Sequence, residues 1–174
     1  VLLTVFVLEQ PAAAESLLLA YRPTWAEAIP ERARGPNDLF FAAYETPAVI
    51  AYNSEALTRD EVPRDWDEVL APRWTDLVLI RDPLASGTMR AVFGMIVQRG
   101  LRATGDTAAG FEWLRQLDAQ TREYVLNPAL LHQKLIRREG VLTLWDLPDI
   151  LTERDKGSPF DFLLPVSGTP VIAV

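Results

Sequence analysis

The clearest periodicity in the chain lies between residues 89 and 97. Met89, Val92, Phe93, Ile96 and Val97 fall at i, i+3, i+4, i+7 and i+8, one face of a helix, and Gly100 predicts its end. Just upstream, "DLVLIR" (76–81) is an aliphatic run of strand length. "GDTAAGFEWLRQLDAQ" predicts a helix over 106–119 with Phe111, Leu114 and Leu117 toward the core. A strand over 123–126 leads to Asn127 as helix cap with Pro128 in the first turn, and Gly140 predicts the close of that helix after Glu139. "VLTLWD" is the next strand, "PDILTERDKG" the next helix, and "FDFLLPVSGTPVIAV" supplies one or two final strands.

Upstream the pattern is less regular. Residues 12–20 read as a short helix, and "YRPTWAEAIPERARGPND", with three prolines, as surface connection. An extended segment follows, most strand-like over 48–52. In "VPRDWDEVLAPRW", Asp65 and Glu68 have capping-box spacing, so a helix of about two turns is expected before Pro72. The opening "VLLTVFVLEQPAAAES" has the apolar stretch and small residues of a signal peptide but no basic leader, so a buried strand over 4–8 is the preferred reading. The first residue is not Met, which suggests a piece of a longer chain. Strands and helices alternating at short intervals predict an α/β layered fold.

Composition narrows the chemistry. Of 174 residues 49% are hydrophobic, enough to bury a sizeable core, and no run approaches the roughly 18 apolar residues that span a bilayer, so direct membrane insertion is not expected. A formal net charge of −7 argues against nucleic acid or an anionic membrane surface as partner. There is no Cys, and His132 is the single histidine, so Cys-ligated zinc and two-histidine sites are excluded. Hydrolase elbows, Walker loops, dinucleotide fingerprints and zincin motifs are missing, and nothing resembles a nucleophile with its base. Neither an enzyme nor a cofactor or metal site is expected.

The stretch "DPLASGTMR" stands out because it joins a strand to a helix. Ser86 would cap that helix with Gly87 and Thr88 in its first turn, where unpaired N–H groups and the helix dipole stabilise an anion. Arg90 in the same turn opposes the dipole, and a bound anion would reverse that sign. The alternative is a plain cap, with Arg90 paired to Asp82 or facing water. A second Ser-Gly-Thr, 167–169, precedes Pro170 and "VIAV" and predicts a turn into a strand. Asn127 (with Tyr124) and Trp145–Asp146 lie near the ends of other strands and extend the candidate rim; their plain readings are two helix caps and a core indole. His132 reads as a packing or surface residue, and Asp60, Glu61, Asp65, Asp67 and Glu68 as a solvated acidic face.

Taken in order, "AYNSEAL", "VPRDWDEVLAPRW", "LVLIRDPLASGT", "TLWDLPDI" and "PVSGTPVIAV" resemble the middle of a bacterial periplasmic (extracellular) solute-binding protein of an ABC importer, ferric-iron-type branch. The resemblance runs from about Thr4 onward. It implies a class II periplasmic-binding-protein-like α/β fold, a mixed sheet flanked by helices, in a protein about twice this length. Residues 1–47 would be part of a first lobe, 48–52 a crossing strand, 53–162 the ligand-binding second lobe and 163–174 the return crossing. It further implies capture of a small anionic solute between the lobes and delivery to a membrane permease. The location would be periplasmic or extracellular, free or lipid-anchored in the full-length form. Ser86, Gly87 and Thr88 match the family's anion-binding loop. Iron-binding members carry adjacent tyrosines where this chain has Trp145-Asp146, and Tyr21, Tyr44, Tyr52 and Tyr124 are all isolated. An organic phosphonate or carboxylate therefore fits better than tyrosinate-bound iron, with Trp145 as an apolar wall and Asp146 facing an amine. The effector domain of a transcriptional regulator or sensor, which shares the architecture, is the alternative. Apolar edges at 1–8 and 171–174 are expected to stay open and to invite pairing between copies.

Overall fold

The computed structural model describes residues 3–5 and 9–173. Its strands are β1 (Leu3–Val5), β2 (Glu45–Asn53), β3 (Val78–Arg81), β4 (Thr121–Val125), β5 (Leu142–Asp146), β6 (Phe160–Leu163) and β7 (Pro170–Ala173). The helices are α1 (Glu9–Ala14), α2 (Gly87–Thr104), α3 (Ala108–Gln120), α4 (Pro128–Ile136) and α5 (Leu147–Asp155). The sheet runs β1-β7-β2-β5-β3-β4, with β6 also paired to β2. β3 is parallel to both β4 and β5, whereas β2 is antiparallel to β5, β6 and β7. The sheet is therefore mixed. β2 is long enough to serve two partners along one edge: residues 45–47 pair with β7 and residues 50–53 with β6.

Both faces of the central strands are covered, so they read as unbroken apolar runs. Along β2, Ala48, Ile50 and Tyr52 face a core built with Trp66, Trp74, Met89, Val92, Ile96, Trp113 and Leu117, the α2/α3 side. Val49 and Ala51 face the other, with Leu131, Leu135, Trp145, Ile150 and Phe160, the α4/α5 side. Period-two alternation thus distributes a single strand between two cores.

Several expectations need correction. Gly100 does not end α2; the helix continues to Thr104 and stops at Gly105, whose φ of 78° suits a glycine cap. Gly100 instead allows α3 to press close: a Cβ there would lie 2.5 Å from the Gly110 backbone nitrogen, and one on Gly110 would lie 2.5 Å from Val97 Cα. In α3 it is Trp113 that turns inward with Leu117, while Phe111 is exposed and Leu114 half-buried. α4 ends at Ile136, and Arg138, at φ 59°, takes the left-handed position assigned to Gly140. Glu139 N–H donates to Lys134 O and Arg138 N–H to Leu135 O, closing the helix. Gly140 lies against Leu77 and Leu79.

The expected helix before Pro72 is two short 3₁₀ segments, Trp66–Leu70 and Pro72–Trp74, with Glu68 accepting from Arg64 N–H rather than from the Asp65 amide of a capping box. The first helix is Glu9–Ala14, earlier than 12–20, and the first strand is Leu3–Val5; the rest of the 4–8 reading lies outside the described residues. The expected open edge at 171–174 is also corrected. β7 sits between β1 and β2, with Val171 and Ile172 buried; Val174 lies outside the described residues, as do Val1, Leu2 and 6–8.

Candidate functional site

Three parallel strands bring three helix starts to one edge of the sheet. β3, β4 and β5 end at Arg81, Val125 and Asp146, and each hands the chain to a helix: α2, α4 and α5 respectively. Ligands of open α/β sheets sit at such carboxyl edges. Each helix start has a side-chain cap. Ser86 Oγ accepts from Met89 N–H at 3.3 Å, Asn127 Oδ1 from Leu130 N–H at 3.2 Å and Asp146 Oδ1 from Asp149 N–H at 3.3 Å. In α2 the Gly87 and Thr88 amides find no acceptor among the described residues. Three dipoles and open amides favour negative charge at this edge, each helix contributing about 0.3–1 kcal/mol where exposed.

The carboxyl of Asp146 sits within that field yet is pushed up to about 6, first by burial and then by the charge of Asp149. The backbone N–H groups of Asp149 and Asp146 and the Thr88 hydroxyl pull it the other way. The pull of the Thr88 hydroxyl on Asp146 sets the start of α2 near the start of α5, and Asn127 opens α4 from the same carboxyl edge of the sheet.

Arg90 is exposed, as the plain reading expected, but its bonds go to the backbone and not to Asp82. Its Nη1 donates to the carbonyls of Pro83 (3.3 Å) and Leu84 (2.9 Å), clasping the loop that delivers Ser86. Trp145 is 3% exposed and belongs to the core; its Nε1 donates to Asp149 at 3.1 Å, so it offers no wall to a ligand here. Tyr124 turns to α3, its hydroxyl donating to Asp118 at 2.9 Å, and burial with that carboxylate pushes the phenol up to about 12. His132 packs edge-on against Trp145 and beside Phe160, and burial holds its pKa below the usual value.

The acidic face is largely exposed, as expected, but two of its carboxylates also hold the fold. Asp65 accepts from the N–H and hydroxyl of Ser167, and Asp67 from Trp113 Nε1 while pairing with Arg99. The second Ser-Gly-Thr is a turn into β7, as its context predicts.

One rim residue escapes the sequence pattern. Arg81 closes β3 with 7% exposure, and burial lowers its pKa. A cation at the end of an otherwise apolar strand was the available signal. Among the described residues no group of three His, Cys, Asp or Glu side chains is placed to hold a metal ion, and no helix is long and apolar enough to cross a membrane.

This geometry has relatives. The chain is 26% identical over 107 residues to a probable ABC transporter periplasmic-binding protein of Sinorhizobium fredii, covering 61% of this chain and 30% of that one. Its fold matches the periplasmic binding protein AfuA of Actinobacillus pleuropneumoniae, solved with exogenous fructose 6-phosphate, at TM-score 0.79 and 22% identity over 93% of this chain and 51% of that one. It also matches the ferric binding protein of Campylobacter jejuni, at TM-score 0.77 and 13% identity over 94% and 54%. The chain spans about half the length of the relatives it matches along most of its own length. Such proteins bind solutes and are not enzymes. Residues 8–171 match the model of one family along nearly the whole chain, and the chain belongs to it: the bacterial extracellular solute-binding proteins.

Proposed function

We propose that this chain is the ligand-holding part of the substrate-binding component of an ABC importer, and that its solute is a small organic anion carrying a phosphate, phosphonate or carboxylate. The observation that carries the reading is the meeting of the α2, α4 and α5 starts at one edge, with the Gly87 and Thr88 amides free to donate. Asp146 at the same rim suits a hydroxyl or amine on the far side of the solute. The fructose 6-phosphate in AfuA and the transporter role of the Sinorhizobium relative support the same reading.

Ferric iron held by tyrosinates is disfavoured: Tyr52 is buried with its hydroxyl on Asp161, and Tyr124 is engaged by Asp118. In this reading 1–47 belongs to a first lobe, 48–52 and 163–174 are crossings and 53–162 is the second lobe. Leu84 and Leu126, exposed beside Ser86 and Asn127, offer apolar surface to whatever closes over the rim. The working location is the periplasm, with a membrane permease as partner.

Calorimetric titration of the full-length polypeptide with hexose phosphate, a phosphonate, small carboxylates and ferric citrate tests this. Binding of one or more of the organic anions is expected, weakened when Ser86 and Thr88 are both replaced by Ala. Binding of ferric citrate alone, or of none of these, contradicts the reading.

A further inference from the structure

The anion site as described has open amides but no buried side-chain cation assigned to it: Arg90 is exposed, with its Nη1 on the carbonyls of its own loop. We propose that Arg81 supplies the positive charge of the site, its guanidinium taking an oxygen of the solute's phosphate or phosphonate group. This rests on the anion reading above and adds a residue to it.

Arg81 is more than nine-tenths buried, and its Nε is buried with no hydrogen-bond partner. Among the described residues only Nη1 is engaged, donating to Val125 O at 3.0 Å. Its guanidinium lies 5.5 Å from the Trp145 ring. Val125 stands two residues before the α4 cap Asn127, and Trp145 one residue before the α5 cap Asp146, so the group is bracketed by the strand ends beneath two helix starts.

A guanidinium does not shed its proton at ordinary pH, and a buried cation without counter-charge is unfavourable. None of the described carboxylates pairs with it. Asp82 acts through its charge alone, and Asp146 is directed to the Asp149 amide and Thr88, with Arg81 not among the groups that move its pKa. The Trp145 face offsets part of the cost. The positive ends of α4 and α5 add to it, since they repel a cation. A neutral acceptor would leave the charge uncompensated. An oxyanion offsets it at Nη2, which among the described residues has no bond and is not closed off, whereas Nε itself is closed to solvent. The chemistry selects a phosphomonoester or phosphonate over an uncharged solute.

The test is calorimetric titration of the full-length polypeptide, wild type, Arg81→Lys and Arg81→Met, with a hexose phosphate and with inorganic phosphate, alongside ligand-free melting curves. Arg81→Met is expected to bind at least tenfold more weakly while melting no lower than wild type, because removing an uncompensated charge relieves the ligand-free protein. Arg81→Lys should fall between. Wild-type affinity in Arg81→Met overturns the role of Arg81 and leaves the anion site standing; no anion binding by wild type overturns both. If Arg81→Met does not fold, Arg81→Gln takes its place. A melting temperature well below wild type in the folded variant, or failure of both variants to fold, assigns Arg81 to structure and overturns the proposal.

Discussion

The same tripeptide occurs twice in this chain and does two different things. Ser86-Gly87-Thr88 follows a parallel strand and opens an 18-residue helix: Ser86 is buried as its cap, Thr88 reaches Asp146, and the next two amides are left open. Ser167-Gly168-Thr169 turns into an antiparallel pairing: Gly168 sits at φ 104°, its carbonyl accepts from Trp66 Nε1, Ser167 is held by Asp65, and Thr169 donates to Ala48 O. Both hydroxyls of the second and its Ser167 and Gly168 amides are tied to the fold, while the first keeps donors in reserve. Anion affinity is a property of the helix that follows, not of the three residues.

This contrast is open to attack from both ends. The largest effect should come from Trp66→Ala. It empties a fully buried indole site and frees the Gly168 carbonyl, costing about 3–5 kcal/mol in urea unfolding. Anion affinity of the folded fraction should be unchanged, because the second tripeptide takes no part in binding.

Asp146→Asn isolates the charge that only the first tripeptide meets. The folded carboxyl titrates near 6, above its usual 3.8, so the folded state binds the proton more tightly than the unfolded chain. Stability from this group is present below about pH 4 and lost as pH rises through 6. Asn keeps the cap. The variant should therefore be more stable than wild type by about 3 kcal/mol at pH 8 and equal to it at pH 3.5, read from urea unfolding at the two pH values. Equal stability at both would show that Asp146 is not desolvated.

Ser86→Ala removes a cap and should cost about 1 kcal/mol together with a loss of anion affinity. Ser167→Ala removes an exposed bond to Asp65 and should cost no more than about 0.5 kcal/mol with affinity unchanged. Thermal melts and titrations of the pair compare the two serines directly.

The alternation of strands and helices, the caps Ser86, Asn127 and Asp146, and the different fates of the two tripeptides are legible in the sequence because each rests on local chemistry. A cap needs only its own turn, and the β-branched run after Pro170 favours a strand where the residues after Met89 repeat with helical spacing. What is not legible depends on partners distant in sequence. Gly100 looks like a helix stop until Gly110 of the next helix is seen against it. Trp145 looks like a ligand wall until the core closes over it with His132 and Phe160. Arg90 and Arg81 exchange weight for the same reason: nearness to the helix start favours Arg90, whereas folding gives it two carbonyls and leaves Arg81 buried without a counter-charge. The acidic cluster carries no local sign that Asp65 and Asp67 bind Ser167 and Trp113.

The most direct test of the central claim is an amide-resolved NMR titration of the full-length polypeptide with a hexose phosphate. The account predicts that the Gly87 and Thr88 amides shift in a saturable way while those of Gly168 and Thr169 stay in place. Equal shifts at both tripeptides, or none at Gly87 and Thr88 while the solute binds, would contradict it.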